Sequence, residues 1–276
     1  MNRPGRAVLA LLTLCVVVAA GTGHLWARDP FAQDPAARLL DPSWSHPFGT
    51  DNFGRDILAR LIFGARWSLA GAAAVSCGTS VLGFAIGALA ASGNRLTDNL
   101  IGRTIEGLLA MPGLVMALAL SAILGPSFEN LLVALVVTGW PSSARLSRGL
   151  ILNERNQQYV HGAVALGAGR LRIVVRHILP NVLGRAAVLA TGDYGKVILG
   201  LASLSFLGLG MQPPTPEWGE MINESRGYFQ THPWQMIAPG LCIVVTVLGV
   251  NFLGDALRDR LDPRTNRARS SAEKRI

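Results

Sequence analysis

The sequence predicts an all-α, polytopic membrane protein with six transmembrane helices. Half of the 276 residues are hydrophobic and only 15% are charged, whereas an ordinary soluble domain carries about 25% charged residues. Six apolar segments follow one another along the chain, and a helix needs ~20 such residues to cross the hydrocarbon core of a bilayer. A helix also satisfies its backbone hydrogen bonds internally, which lipid requires.

The six predicted spans are residues 7–27, 67–91, 107–125, 131–150, 182–204 and 236–254. The first follows Arg3 and Arg6, and we interpret it as an uncleaved span, with a cleaved signal peptide as the alternative. The second is rich in Gly, Ala and Ser, which lets helix backbones approach closely. The fourth is the weakest, because its continuous apolar part stops at Trp140 and two arginines follow.

Basic residues predict the orientation of these spans. If the N-terminus is inside, 18 of the 25 lysines and arginines lie in inner segments, six lie in outer segments, and Lys196 falls within the fifth span. An excess of Lys and Arg marks the cytoplasmic side, so both termini are expected in the cytoplasm. Trp26, Trp67 and Trp234 fall at predicted outer span ends, the interface that tryptophan prefers.

The organisation that follows from this orientation has three parts. Residues 1–66 hold the first span and an extracytoplasmic loop, residues 67–256 form the core with a cytoplasmic loop over 151–181, and residues 257–276 form a basic cytoplasmic tail. The inner loop is the polar segment with the clearest internal pattern, and it is therefore the first candidate for function.

The chain carries no recognisable catalytic machinery. The stretch GDYGKV, residues 192–197, is not a phosphate loop, because Ala190 stands where the first glycine is needed and Val197 replaces the hydroxyl residue. All three cysteines lie in apolar runs without ligand spacing. The net charge of +8 comes with no nucleic-acid-binding motif. We therefore expect a chain that is not an enzyme, holds no metal or cofactor and binds no nucleic acid.

The inner loop is predicted to form a helix–turn–helix at the cytoplasmic membrane surface. Residues 157–166 can form one short helix, and glycines at 167 and 169 allow a sharp turn. A second helix runs from Arg170 until Pro180 ends it. Its apolar residues share one face, and they are Leu171, Val174, Val175, Ile178 and Leu179.

Two interpretations of this loop stay open on pattern alone. An amphipathic helix can rest in the headgroups with its arginines on anionic lipid. Alternatively, the loop docks a cytoplasmic partner. The small residues Gly162, Ala163 and Ala165 favour the second interpretation, because a helix seated in a groove needs little bulk on that face.

Four sequence blocks carry a resemblance to a known family. The stretch YVHGAVALGAGRLRIVVRHILPN, residues 159–181, resembles the cytoplasmic loop of binding-protein-dependent ABC importer permeases. The blocks HPFGTDNFGRDILARLIFGARWSL (46–69), LSFLGLGMQPPTPEWGEMI (204–222) and PGLCIVVTVLGVNFLGDALRDRLDPR (239–264) are similar to the second permease of the dipeptide, oligopeptide and nickel branch. The resemblance covers nearly the whole chain.

This resemblance implies an ABC importer type I permease fold and a set of partners. A homologous permease subunit would form the other half of the pathway, and two cytoplasmic ATPase subunits would hold ATP and Mg. An extracytoplasmic solute-binding protein would deliver the substrate, and membrane lipids would surround the bundle. The implied location is the bacterial cytoplasmic membrane. The implied substrate is a short peptide, and the alternatives are nickel, another small solute, or a scaffold that transports nothing.

The same resemblance assigns the ATPase-coupling function to individual loop residues. They are Tyr159, His161, Gly162, Ala163, Gly167, His177 and Pro180. The family loop usually begins with Glu-Ala-Ala, and His-Gly-Ala stands at 161–163 instead. The family's acidic contact is therefore absent, and we expect docking to depend on shape and on the flanking Tyr159.

Two charged groups outside the loop have open interpretations. Asp193 and Lys196 lie three apart in the fifth span, hence on one helix face, and either form a mutual ion pair that softens the cost of membrane burial or face a translocation path. The stretch GTDNFGRD, residues 49–56, could bind a ligand. We expect it instead to fix the outer loop against its neighbours.

Overall fold

A computed structural model of the chain describes residues 28–261, apart from the side chains of 170, 171, 187–190, 255 and 257–261. Regular structure in this part of the chain is helical, which confirms the predicted all-α fold. In chain order the helices are α1 (Ile57–Ser92), α2 (Arg95–Leu109), α3 (Gly113–Leu124), α4 (Phe128–Arg155), α5 (Gln158–Ala165), α6 (Arg170–Ile173), α7 (Leu179–Phe206), α8 (Trp218–Ser225) and α9 (Trp234–Leu261).

Two of the described helices are long and apolar enough to cross a membrane, α1 and the Trp234–Gly254 part of α9. The number rises to as many as four if two bent pairs each count as one span. The pairs are α2 with α3, and Val174–Ala186 with Thr191–Phe206. The helix α4, whose second half is rich in arginine, is not among these candidates. The predicted first span, residues 7–27, lies outside the described residues.

The helix α1 begins at Ile57, ten residues before the predicted second span. Asp56 caps the helix by accepting the backbone N–H of Ala59 at 2.8 Å, which satisfies one of the unpaired donors at a helix N-terminus. Tertiary contacts bury Arg60 completely, and the helix therefore runs through it.

The predicted span over 107–125 is not one straight helix, because the chain bends by 86° between α2 and α3. Pro112 is the N-cap of α3, with extended backbone angles. Proline has no backbone N–H to donate, and its ring disfavours helical angles at the preceding residue. The two helices therefore meet nearly at a right angle.

Small residues join α1 to α4 over much of their length. A Cβ atom at Gly71 would come within 2.6 Å of the Phe128 ring, and one at Gly87 within 2.6 Å of the Ala144 carbonyl oxygen. Between them, a Cβ at Gly83 would collide with Ser143. The close approach predicted for this glycine-rich span is therefore made within the chain, against α4.

The bundle has two distinct ends. At the loop end, which carries α5 and α6, a core cluster joins α1, α4, α5 and the start of α7; its buried members are Ala91, Ile151, Val160, Ile173, Ile178 and Val182. At the opposite end, which carries residues 28–56 and α8, Trp218 packs with Ile57 and Leu61. Each end holds one of the polar networks described below.

Pro180 does not end a helix, contrary to the prediction. A π-helical turn over Val174–Ile178 joins α6 directly to α7, and the N–H of Leu179 donates to the carbonyl of Val174. Proline is accepted in the first turn of the following α-helix, where no donor is needed. The wider turn also changes the apolar face, since Ile178 is buried while Val175 is 55% exposed.

Candidate functional site

The loop over 151–181 forms the predicted helix–turn–helix. The helix α5 ends at a Schellman motif, in which the N–H of Ala168 donates to the Ala163 carbonyl at 3.0 Å and the N–H of Gly167 donates to the Val164 carbonyl at 2.9 Å. Gly167 has φ +80°, the left-handed conformation that this motif requires and that glycine adopts without strain. The turn then leads into α6.

The helix α5 presents most of its surface to the outside of the bundle. Val160 is its buried anchor, at 4% exposure, whereas Leu166 is 90% exposed. His161 and Gly162 are exposed, Ala163 is half-buried, and a Cβ at Gly162 would meet nothing within 4 Å. The small residues therefore form an open surface that a partner can approach closely.

Tyr159 joins this short helix to two long ones. Its hydroxyl donates to Glu154 Oε1 on α4 at 2.6 Å and accepts from Asn181 Nδ2 on α7 at 3.1 Å. The same Asn181 amide donates to the His177 carbonyl at 2.8 Å. Burial, followed by the hydrogen bond to Glu154, raises the pKa of Tyr159, so the hydroxyl remains the donor.

Charged residues at the end of α4 contact four other elements. Glu154 is 2% exposed, and its Oε2 lies 2.9 Å from Arg185 Nη1 on α7. Arg155 donates to the Ala91 carbonyl at the end of α1, and Arg148 pairs with Asp98 on α2. The loop end of α4 therefore connects α1, α2, α5 and α7.

The structure brings together only some of the residues predicted for the loop. The Tyr159 and His177 rings are 6.4 Å apart, and Pro180 follows at the junction of the π turn with α7. His161, Gly162, Ala163 and Gly167 instead lie along the open surface of α5 and its turn. The sequence analysis did not identify Glu154, Asn181 or Arg185 as functional residues, although Asn181 directly follows Pro180.

Asp193 and Lys196 form an ion pair at 2.7 Å, with side chains 46% and 81% exposed. Both line a groove of about 310 Å³. Four hydroxyl side chains share that lining, those of Thr79, Thr138, Ser142 and Ser143. Asp193 also borders a larger, more apolar groove of about 450 Å³ between α1, α4 and α7. Asp193 and Lys196 thus pair with each other, as one interpretation expected, and both also face the open space of the groove.

The opposite end holds a buried charge cluster built on the stretch GTDNFGRD. Arg55 donates to Asp51 at 2.6 Å and to Glu224 at 2.8 Å, and Arg60 donates to the same two carboxylates at 2.7 Å each. Both arginines are at most 2% exposed. The cluster therefore joins residues 49–56 and α1 to α8, a structural role.

Glu220 adds a further acidic group to this cluster. It is 1% exposed and lies 3.5 Å from Arg60 Nη2. Burial, followed by the negative charge of Glu224, raises the pKa of Glu220 to about 9. Burial in this cluster therefore opposes the ionisation of Glu220.

Contacts between α8 and α1 complete this end of the bundle. Ser68 donates to Glu217 Oε1 at 2.7 Å, and the other oxygen of Glu217 caps α8 by accepting two backbone N–H groups. The Trp218 indole donates to the Leu61 carbonyl at 3.1 Å. Within residues 28–261 no group of His, Cys, Asp and Glu side chains is arranged to hold a metal ion.

Comparisons with known proteins extend these observations. A family model described as binding-protein-dependent transport system inner membrane component matches residues 83–267. The chain is 41% identical, over 93% of its length and 84% of the relative's, to the dipeptide transport system permease protein DppC of Alkalihalophilus pseudofirmus. It is 36% identical, over 94% of its length and 93% of the relative's, to the nickel transport system permease protein NikC of Escherichia coli.

A solved structure has a similar fold. A chain of the methionine ABC transporter MetNI, in an inward facing conformation, aligns with a TM-score of 0.62 at 19% identity, and the alignment covers 73% of this chain and 96% of that one. At this identity the likeness concerns the fold alone. The same arrangement of helices is thus found in a transporter subunit of distant sequence.

Proposed function

The chain belongs to the family of binding-protein-dependent transport system inner membrane components, and we propose that it carries short peptides across the bacterial inner membrane as one half of a transmembrane pathway. It is an ABC importer permease, a multi-pass membrane protein without an ATPase activity of its own. The peptide assignment rests on the 41% sequence identity between this chain and a dipeptide permease, which extends over 93% of this chain.

Nickel is the second candidate substrate, and the similarity to NikC favours it. The charges that line the groove of about 310 Å³ support a peptide instead. Asp193 and Lys196 offer one carboxylate and one ammonium group beside four hydroxyl side chains. A short peptide is a zwitterion whose two termini match these charges. We propose that the pair lines the translocation path.

The partners in this proposal are a homologous permease subunit, two ATPase subunits that hold ATP and Mg, an extracytoplasmic binding protein and the surrounding lipids. The ATPase dock is the open surface of α5, with His161, Gly162, Ala163 and Gly167 at the contact. The lack of side-chain bulk there supports it. This assignment puts residues 151–181, and with them both termini, on the cytoplasmic side.

Transport then follows from movement of rigid helices. Closure of the ATPase subunits on ATP would push on α5, and α5 is tied to α4 and α7 through Tyr159. Packed helices move as units, so a push at the loop end would change the spacing of α1, α4 and α7 around the grooves. The bundle would alternate between outward-facing and inward-facing states.

The dock is tested by Gly167→Arg in a pull-down of the ATPase subunits with the full permease. We expect association to fall sharply, because an arginine projects from the open surface of the turn. Gly125→Arg is the matched control, since Gly125 also has a positive φ, +90°, and nothing within 4 Å of a built Cβ, but lies at the far end of α4. Undiminished association of the Gly167 variant would overturn the dock.

The substrate is tested by uptake into proteoliposomes that contain the complete transporter, with di- to pentapeptides and Ni²⁺ as substrates. We expect peptide uptake that depends on ATP and on the binding protein. The double variant Asp193→Ala/Lys196→Ala should lose rate or change peptide preference. Unchanged kinetics in that variant would remove the pair from the path, and uptake of Ni²⁺ alone would establish nickel as the substrate.

A further inference from the structure

The attachment of α5 to the long helices decides how its displacement is passed on. Val160 supplies an apolar contact, packed in the cluster with Ile151 and Ile178. Apolar contacts are non-directional, and such a surface can slide while staying buried. A directional link is needed if a push on α5 is to move α4 and α7 by a defined amount.

The Tyr159 hydroxyl provides that link. It donates to Glu154 on α4 at 2.6 Å and accepts from Asn181 on α7 at 3.1 Å. One oxygen atom therefore joins three helices. It also lies 3.3 Å from the His177 carbonyl, at the π turn from which α7 begins.

The carboxylate of Glu154 depends on this arrangement. It is 2% exposed, and a buried carboxylate requires hydrogen-bond donors or an opposite charge. Tyr159 serves one oxygen and Arg185 lies against the other. Loss of the tyrosine hydroxyl leaves a buried oxygen of Glu154 without its donor, so the link cannot be replaced by packing alone.

We propose that Tyr159, Glu154 and Asn181 are positioning residues that pass the displacement of α5 to α4 and α7, and that the yield of transport per ATP depends on them. This inference rests on the proposed function, in which α5 receives the ATPase subunits. Tyr159 is 43% exposed but acts here through its hydroxyl, which bonds to α4 and α7, whereas the dock uses the exposed His161 and Gly162 of α5. Docking and coupling are therefore separable.

The test uses the complete transporter reconstituted in proteoliposomes, with peptide uptake and ATP hydrolysis measured on the same sample. For Tyr159→Phe we expect the ATPase subunits to stay bound and ATP hydrolysis to continue, while peptide imported per ATP hydrolysed falls several-fold. Tyr228→Phe is the matched control, because it removes the same hydroxyl from the short helical turn Arg226–Tyr228 beyond α8, and its ratio should equal that of the wild type.

A second variant separates the link from a general loss of stability. Glu154→Gln keeps an oxygen that accepts the Tyr159 hydroxyl, so it should retain more coupling than Tyr159→Phe. The double variant should be little worse than Tyr159→Phe alone, because both changes act on one hydrogen bond and coupled residues are non-additive.

Three results would overturn the inference: a wild-type ratio in Tyr159→Phe, additive losses in the double variant, or loss of ATPase binding in Tyr159→Phe, which would make Tyr159 part of the dock. Failure of the proposed function has a different signature. It would appear in the wild-type sample itself, as ATPase subunits that do not bind or as an absence of uptake.

Discussion

Arg148 binds both oxygens of the Asp98 carboxylate: its Nε donates to Oδ1 at 2.6 Å and its Nη2 donates to Oδ2 at 2.9 Å. The pair joins α4 to α2 across 50 positions of sequence. Two parallel charge-assisted hydrogen bonds fix orientation as well as distance. The pair therefore holds the first turn of α2 against α4.

Removal of this pair should weaken the attachment of α2. We expect Asp98→Asn to lower the free energy of unfolding by about 1 kcal/mol, a modest value because both side chains are roughly 30% exposed. Thermal unfolding in detergent measures the change. Asp41→Asn, on an exposed residue of the opposite end, is the control, and equal effects of the two variants would contradict a specific role for Asp98.

Gly54 should tolerate no side chain. Its φ is +77°, and a Cβ would collide with the Asp34 carbonyl oxygen, part of the backbone. Gly125 has a similar φ of +90° with nothing within 4 Å. We expect Gly125→Ala to cost about 1 kcal/mol from backbone strain and Gly54→Ala to cost roughly 3 kcal/mol. The difference in melting temperature between the two variants measures the cost of the steric collision at residue 54. Similar melting temperatures would mean that this collision costs nothing.

The stability of the opposite end should depend on pH through Glu220. Its pKa is raised from 4.5 to about 9, so between these values the native protein keeps a proton that the unfolded chain has released. The free energy of unfolding must then fall as pH rises, by at most about 1.4 kcal/mol per pH unit.

Glu220→Gln removes this dependence because glutamine cannot ionise. We expect the melting temperature of the variant to exceed that of the wild type increasingly from pH 6 to pH 9. Unfolding scans across this range measure the difference. Parallel pH profiles of the two proteins would show that Glu220 is ionised in the folded state.

Gly219 should be required for the seating of α8 on α7. A Cβ there would lie 2.6 Å from the Ala202 carbonyl oxygen and 2.7 Å from its Cα. We expect Gly219→Ala to lower the free energy of unfolding by roughly 2 kcal/mol, since neither backbone atom can move aside. Gly227→Ala, where a Cβ meets nothing within 4 Å, is the control and should be close to neutral in the same unfolding assay.

Local features of this fold followed directly from the sequence. The helical fold class rests on apolar segments that have only one way to pair their backbone in lipid. The helix–turn–helix at 157–179 rests on a glycine that ends α5 in the left-handed region. Both depend on residues close together in the chain, and the fold class and the turn were predicted correctly, whereas the predicted end of the second helix at Pro180 was wrong.

Long-range electrostatic contacts are what the sequence analysis did not predict. Arg60 lies in α1 before the predicted second span, and its partners Asp51 and Glu224 could not be identified from the sequence. The hydrogen bond between Glu154 and Tyr159 could not be predicted either, since Tyr159 reaches α4 only once α5 has folded against it. A charge looks the same in sequence whether it is solvated or paired, and only the fold supplies its partner.

By itself the sequence determined that the chain is helical, lies in a membrane and carries a helix–turn–helix loop, because periodicity, composition and glycine conformation act over a few residues. The tertiary structure alone decided that the loop end of α4 is joined to four other elements and that two arginines and two carboxylates form a buried charge cluster at the opposite end. That cluster brings the side chains of Arg60 and Glu224 within 3 Å of each other across 164 positions of sequence, a proximity that no local pattern encodes.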